Sequence, residues 1–223
     1  MITIKEHIQS EIVEKKSKFI ANIFFVESVE EAENKIKEMK KKYYDARHNC
    51  SSYRVLEEGK IVEKSSDDGE PSGTAGGPML NILQKRDLVN VVVIVTRYFG
   101  GILLGTGGLV RAYSDVTQNA IEEAEKVVII LGKEFEVKVD YSNLEKLKYY
   151  ARTNSINISK VEYGNEITCI IQISKENINK FLEDIEKKNL NIIKYKEIGE
   201  KYIINWRLIC KAPNYFESFI IND

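Results

Sequence analysis

The fold is decided by residues 91–111, which read VVVIVTRYFGGILLGTGGLVR. The first part is a continuous run of β-branched residues, a pattern typical of a strand that is covered on both faces. The second part contains five glycines between Arg97 and Arg111, and it is typical of a tight loop that leads into a helix. The stretch therefore predicts a buried strand, a glycine loop and the start of a helix.

A loop of this kind can hold an anion, because the free N–H groups and the dipole at a helix start favour negative charge. Arg97 and Arg111 would add bidentate donors. Glycines also occur where a strand and a helix pack too closely for side chains, so both interpretations stay open. The spacing matches neither the phosphate loop, since no lysine follows Gly107 or Gly108, nor the dinucleotide pattern.

Composition excludes several classes of protein. The 33 lysines and arginines nearly balance the 34 aspartates and glutamates among 223 residues, so any binding of a polyanion must come from a local patch. The sequence has no apolar run of about 18 residues and no charged-then-apolar leader. We therefore expect a cytoplasmic protein without a membrane span.

The cysteines Cys50, Cys169 and Cys210 are odd in number and widely spaced, and the chain has two histidines. This pattern predicts neither structural zinc nor a disulfide framework, and we expect no metal and no cofactor. His48 and Cys50 would share one face of a strand, which leaves a Cys-His nucleophile open. A buried, unreactive thiol is the commoner role of a free cysteine, and we expect no catalytic residue.

Residues 1–130 are predicted to form the first domain. Alternating apolar residues indicate a strand over 19–25, and Ser28 with Glu31 forms a capping box for a helix that ends near Tyr44. Further elements follow as strands over 46–56 and 60–64, a turn-rich segment over 65–78, a helix from Pro78 to about Gln84, and a helix over about 107–124 that Thr106 would cap.

Residues 131–223 are predicted to form a second domain of strand, helix, strand, strand, helix and strand. Ser142 with Glu145 would cap its first helix, Ser174 would cap its second, and a final hydrophobic region runs from Ile192 to Leu208. This order is typical of the ferredoxin-like, split βαβ arrangement.

A second polar stretch, DDGEPSGTAGGP, occupies residues 67–78. Its acids Asp67, Asp68 and Glu70 could hold Mg²⁺, which prefers oxygen ligands. The spacing fails the EF-hand pattern, and Asp side chains in such turns commonly bind their own backbone. We favour the polar turn over the metal site.

Four short motifs together resemble the IMPACT family in its bacterial YigZ-type form. They are DARH at 45–48, DDGEPSGTAG at 67–76, TRYFGG at 96–101 and GTGGLVRAY at 105–113. The resemblance covers almost the whole chain. It implies an α+β protein: an N-terminal α/β domain similar to domain 2 of ribosomal protein S5, followed by a ferredoxin-like domain similar to one near the C-terminus of elongation factor G.

The polar and glycine loops together with the resemblance predict a ligand-binding face without assigning roles, and the resemblance itself covers Arg47, His48, Arg97, Arg111 and the loop 68–72. The residues of this face are Arg47, His48, Asp68, Gly69, Glu70, Ser72, Thr74, Arg97, Tyr98, Gly100, Gly101, Gly105, Thr106, Gly107, Gly108 and Arg111. Many bacterial relatives carry a lysine where this sequence has Leu103, which implies weaker contact with phosphate here. Eukaryotic members regulate a translation-control kinase and carry a further interaction domain, so the resemblance implies only a general link to translation or RNA.

Three functions remain open at this point. The preferred one is a noncatalytic, translation-associated binding protein that contacts RNA or a ribosome-associated protein through this face, with Tyr98 and Phe99 available for stacking and no DNA specificity. The second is a nucleotide- or phosphate-binding enzyme of the S5-like kinase superfamily, in which the turn at 105–108 would cradle a triphosphate. The third is a protein-interaction adaptor that uses an edge of the second domain.

Overall fold

The computed structural model describes residues 1–210, which form two compact units, Met1–Val128 and Ile129–Arg207. The remaining residues 211–223 of the predicted second domain lie outside the described residues. The first unit contains β1 (Ile2–Ile4), β2 (Ile8–Glu14), β3 (Ser17–Phe25), α1 (Val29–Lys42), β4 (His48–Glu57), β5 (Lys60–Ser66), α2 (Gly76–Lys85), β6 (Val91–Tyr98) and α3 (Gly105–Glu123). The elements that follow are β7 (Lys126–Val139), α4 (Leu144–Thr153), β8 (Asn157–Tyr163), β9 (Ile167–Ser174), α5 (Ile178–Glu186) and β10 (Ile192–Cys210).

An antiparallel sheet in the order β2-β3-β6-β4-β5 forms the first unit, with β6 at its centre. Val92 and Ile94 pack towards α1 on one face, whereas Val91, Val93 and Val95 pack with α2 and α3 on the other. Because successive strand residues point to opposite faces, this two-sided cover explains the unbroken β-branched run. The prediction of a strand buried on both faces is confirmed.

Helix α1 begins as the sequence predicts. The backbone N–H of Glu31 donates to the Ser28 hydroxyl at 3.1 Å, and the Glu31 carboxylate accepts from the N–H of Glu27 at 2.8 Å. Lys40, Lys41 and Lys42 occupy the last turn, where cations suit the helix dipole.

Two helix starts differ from the prediction. Helix α3 begins at Gly105 after Leu104, so Thr106 lies inside the first turn and the helix has no side-chain cap. Helix α2 begins at Gly76 rather than Pro78. The reason is that the Asp67 carboxylate accepts hydrogen bonds from the N–H groups of Ala75 and Gly76, which are free to bind an acceptor at a helix start.

The second unit is ferredoxin-like. Its strands lie in the order β10-β7-β9-β8, with β9 antiparallel to both β7 and β8. Helices α4 and α5 pack on one face of this sheet, where Phe181 meets Phe135 with ring centroids 5.7 Å apart. The α+β class and the two-domain order predicted from the sequence are confirmed.

Both caps predicted in the second unit are wrong. A short 3₁₀ turn, Tyr141–Asn143, precedes α4, and another, Lys175–Asn177, precedes α5. Neither the Ser142 nor the Ser174 hydroxyl accepts a hydrogen bond from a backbone N–H at a helix start, because the 3₁₀ turns move the first α-helical residues to Leu144 and Ile178.

Gly100 marks the closest approach in the glycine loop. A Cβ at Gly100 would lie 2.0 Å from the carbonyl carbon of Lys16, whereas one at Gly107 would meet nothing within 4 Å. We expect Gly100→Ala to lower the free energy of unfolding by about 2 kcal/mol or more, because the clashing atoms belong to the backbone and cannot move aside as a flexible side chain could. Gly107→Ala is the control and should be neutral or stabilising by up to about 1 kcal/mol. Urea unfolding of both variants checks this, and equal stability of the two would contradict it.

Candidate functional site

The acidic loop over 67–75 is folded around the side chain of Asp67. Its Oδ1 atom accepts from the N–H groups of Ala75 and Gly76 at 3.0 and 2.8 Å, and its Oδ2 accepts from Gly73 at 2.8 Å. The Asp67 carbonyl accepts from the N–H of Glu70 at 2.9 Å. An aspartate that binds its own loop backbone is what the polar-turn interpretation predicts, and that interpretation is confirmed.

Asp68 attaches this loop to strand β4. Its φ of +45° turns the chain so that Oδ2 accepts from the Asn49 N–H at 2.7 Å. The Asp68 carbonyl oxygen lies 2.9 Å from Nδ1 of His48, which must donate because a carbonyl can only accept. Oδ1 of Asp68 forms an ion pair with Lys40 of α1. The loop is thereby held between a strand and a helix.

Glu70 belongs to the same loop, and its side chain forms a buried ion pair. Its Oε1 atom is 2.7 Å from the guanidinium nitrogen Nη1 of Arg97. The Glu70 side chain is 3% exposed and the Arg97 side chain is 7% exposed. The hydroxyl of Tyr113, from α3, donates to the same oxygen at 2.9 Å. A buried charge needs a partner and hydrogen bonds to offset its desolvation, and Glu70 receives both.

Arg97 is also enclosed by aromatic rings. Its guanidinium carbon lies 5.5 Å from the ring centre of Phe19 and 5.7 Å from that of Phe99. In strand register Arg97 stands between Phe19 of β3 and His48 of β4, so all three share one face of the sheet. Within the described residues its Nε atom is buried without a hydrogen-bond partner. The Arg97 side chain is therefore already bound by groups of the protein itself. Its role as a hydrogen-bond donor to an anion stays a prediction.

Cys50 of β4 contacts both the acidic loop and Tyr113. Its sulfur lies 2.9 Å from the Asp67 carbonyl oxygen and 3.3 Å from the Tyr113 hydroxyl oxygen, so its single hydrogen can be donated to either of these two acceptors. Burial, together with the nearby carboxylates, Glu70 foremost, raises the pKa of the Cys50 thiol to about 12. Burial likewise raises the pKa of Tyr113 far above its ordinary value. A thiol that stays protonated is no nucleophile, so the geometry gives no support to a Cys-His pair.

The glycine loop that follows β6 faces solvent. Gly101 and Gly105 adopt φ values of +85° and +75°, which glycine tolerates without strain. Phe99 is 55% exposed and Leu103 is 82% exposed. Tyr98 is half-buried, and its hydroxyl donates to the Asp45 carboxylate at 2.8 Å. Burial and, to a smaller extent, this hydrogen bond raise the pKa of Tyr98 to about 12. Phe99 is thus the more open of the two aromatic candidates.

The structure brings together part of the predicted face. Hydrogen bonds join His48 to Asp68 and Arg97 to Glu70, while the Thr74 hydroxyl donates within the loop to the Pro71 carbonyl. The remaining polar residues with exposed side chains are Arg47, Ser72, Thr106 and Arg111, and no hydrogen bond among residues 1–210 ties any of them to the network. Whether they share a ligand with it stays a prediction.

Sequence reasoning missed two members of the network. The predicted binding face omits Tyr113, which donates to Glu70 from α3, and Asp67, which organises the loop. The available signal was a tyrosine within a stripe of apolar residues, because a buried hydroxyl needs a polar partner.

Residues 1–210 bring together no group of three or more His, Cys, Asp or Glu side chains able to hold a metal ion. None of the helices formed by these residues combines the length and apolarity that a membrane span requires.

Comparisons with known proteins give the family. The model of the Impact N-terminal domain matches residues 15–121, and that of a domain of unknown function, DUF1949, matches residues 137–187. The IMPACT family member YvyE of Bacillus subtilis is 38% identical over 181 residues, which cover 81% of this chain and 83% of that protein. The chain belongs to the IMPACT family.

Two further likenesses agree with this assignment to the IMPACT family. The family member YigZ of Escherichia coli is 28% identical over 200 residues, 88% of this chain and 95% of that protein. A solved structure titled "Crystal structure of an hypothetical protein" is 27% identical, with a TM-score of 0.60 and coverage of 86% of this chain and 95% of its own. The resemblance drawn from the four motifs is confirmed, and the Impact N-terminal match contains the whole Glu70 network.

Breaking the buried pair should be costly. We expect Glu70→Gln and Arg97→Met each to lower the free energy of unfolding by about 3–5 kcal/mol, because each leaves the other charge buried without its partner. The double variant should lose less than the sum of the two. Urea unfolding of the three proteins checks this, and additive losses would show that the two side chains do not interact.

Cys50 should resist alkylation in the folded protein. The rise in its pKa from 9.0 to about 12 lowers the thiolate fraction near pH 8 by about a thousandfold. Iodoacetamide followed by peptide mapping, which separates Cys50 from Cys169 and Cys210, measures the rate. The same reaction in concentrated urea is the control and should label Cys50 quickly; rapid labelling without urea would refute the buried thiol.

Proposed function

We propose that this chain is a noncatalytic, translation-associated protein whose first unit binds RNA through the exposed part of its Arg/Gly-rich face. One observation carries the proposal: the carboxylates and the thiol of the site are used internally, whereas Arg47, Phe99 and Arg111 remain exposed. A site arranged in this way offers cations and an aromatic ring to a ligand, while Asp67 and Glu70 bind groups of the protein itself.

These exposed groups suit a single-stranded nucleic acid. Arginines contact phosphates, and an exposed ring such as Phe99 offers a surface on which a base can stack. The chain as a whole is close to neutral, so the affinity must come from few contacts and should fall steeply with salt. The link to translation is supported by membership of the IMPACT family.

The geometry gives less support to a phosphotransferase. Gly107 and Gly108 lie within α3 rather than in an open loop, and an incoming Mg²⁺ would have to displace the N–H donors of Asp67 or the Arg97 partner of Glu70. Each of those contacts also holds the fold together, so metal binding would cost stability.

Fluorescence anisotropy with a labelled single-stranded RNA tests the proposal across a salt series. Compared with the intact protein, the variant Arg47→Ala/Arg111→Ala should bind more weakly, and the slope of log K against log salt should fall by roughly 1.4, about 0.7 for each lost phosphate contact. Arg97 is kept, because its replacement would disturb the buried pair. Lys180→Ala, which removes an exposed lysine of α5, is the control and should bind like the intact protein.

Three outcomes would count against RNA binding by this face. Absence of binding by the intact protein at low salt would favour a protein partner, which a pull-down with and without the residues after 130 would then address. Equal binding by the double variant would place the contact elsewhere. Displacement of the RNA by ATP with Mg²⁺ would favour the nucleotide enzyme.

A further inference from the structure

A cleft of about 110 Å³ lies in the second unit near the end of β9. Its polar lining comes from Arg152, Ser155, Asn157, Gln172 and Ser174, with Asn205 of β10 beside them. Pockets for drug-sized ligands measure roughly 300–1,000 Å³, so this cleft has room for a ligand of only a few atoms.

Strand register explains why the cleft is there. The pairing of β8 with β9 ends at Asn157 opposite Gln172, whereas β7 stays paired with β9 as far as Gly132 opposite Ser174. On the β8 side Ser174 therefore lies beyond the last strand pair. The chain turns away there at Ser155, whose φ is +57°.

The hydroxyl of Ser174 is the unusual feature of this cleft. Ser174 is 4% exposed, and within the described residues its Oγ atom has no hydrogen-bond partner. It caps no helix, because the 3₁₀ turn Lys175–Asn177 has no side-chain cap. Buried polar groups are normally paired, and a hydroxyl left without a partner costs stability unless something else binds it.

The other polar groups of the cleft make it a site for an anion. Arg152 contributes a guanidinium that forms no ion pair within the described residues, and it stacks over Tyr149 at 5.6 Å. The amide of Asn157 gives one hydrogen to Gln172 at 2.9 Å and has a second to offer. Gln172 donates to Glu134 at 3.0 Å and is therefore used internally. None of the residues that line the cleft carries a carboxylate.

We propose that this cleft binds a small oxyanion, a carboxylate or a phosphate, held by the guanidinium of Arg152 and the hydroxyl of Ser174. Hydrogen bonds between charged groups and oxyanions are the stronger kind, and the Ser174 hydroxyl gains there the partner it lacks. The site lies in the second unit, so it does not depend on the RNA-binding face of the first.

Isothermal titration calorimetry of the full chain with inorganic phosphate, and separately with acetate, tests this at constant ionic strength maintained with chloride. Arg152→Gln should weaken binding about tenfold or more, and Ser174→Ala about threefold to tenfold. Lys146→Gln removes a charge from the same helix and should leave binding unchanged. Ser174→Ala should also keep or raise the melting temperature without ligand, because it removes an unpartnered buried hydroxyl, so weaker binding cannot be attributed to unfolding.

Saturable heat with either anion that decreases in both cleft variants supports the proposal, and the tighter of the two anions gives the ligand class. Absence of saturable heat with both anions would overturn it, and so would an equal loss in Lys146→Gln or unchanged binding in Arg152→Gln and Ser174→Ala. The Arg47→Ala/Arg111→Ala protein should bind the anion normally, which separates this result from the test of RNA binding.

Discussion

The ion pair between Glu70 and Arg97 is the interaction on which the first unit depends. Strand β6 is buried on both faces, so an arginine near its end can be accommodated only if a carboxylate reaches it. Glu70 does so from a loop 27 residues earlier in the chain, and Tyr113 of α3 binds the same oxygen. A single carboxylate thereby connects a strand, a loop and a helix that the sequence places far apart.

The same pair explains why the acidic loop has its shape. To present Glu70 inward, the loop closes around Asp67, and this closure supplies the acceptor at which α2 begins. Asp68 faces the other way and fastens the loop to β4 and to Lys40 of α1. Two adjacent aspartates thus have different structural roles, and both serve to position the loop. What remains for a ligand is the outer surface, where Arg47, Phe99 and Arg111 are exposed.

The parts of the fold that can be predicted are those determined by the sequence of neighbouring residues. The β-branched run gave the central strand, Ser28 and Glu31 gave the start of α1, and the order of elements gave the ferredoxin-like unit. The wrong start of α2 has a cause that lies outside a local window of sequence. The beginning of α2 depends on Asp67, nine residues before Gly76, and the pairing of Glu70 with Arg97 requires the strand register to be known. A sequence shows both charges but not that they meet.

Ser174 shows how such an error can be informative. The sequence assigns it a local role as a cap because serine before a helix usually has that role. The 3₁₀ turn after it removes the helix N–H groups from reach, and the hydroxyl is left buried at the end of β9. A serine kept only for packing could be an alanine at less cost, since an alanine there would bury no unpaired oxygen. Because Arg152 lines the same cleft and no carboxylate opposes it there, the missing partner is best supplied from solution by an anion.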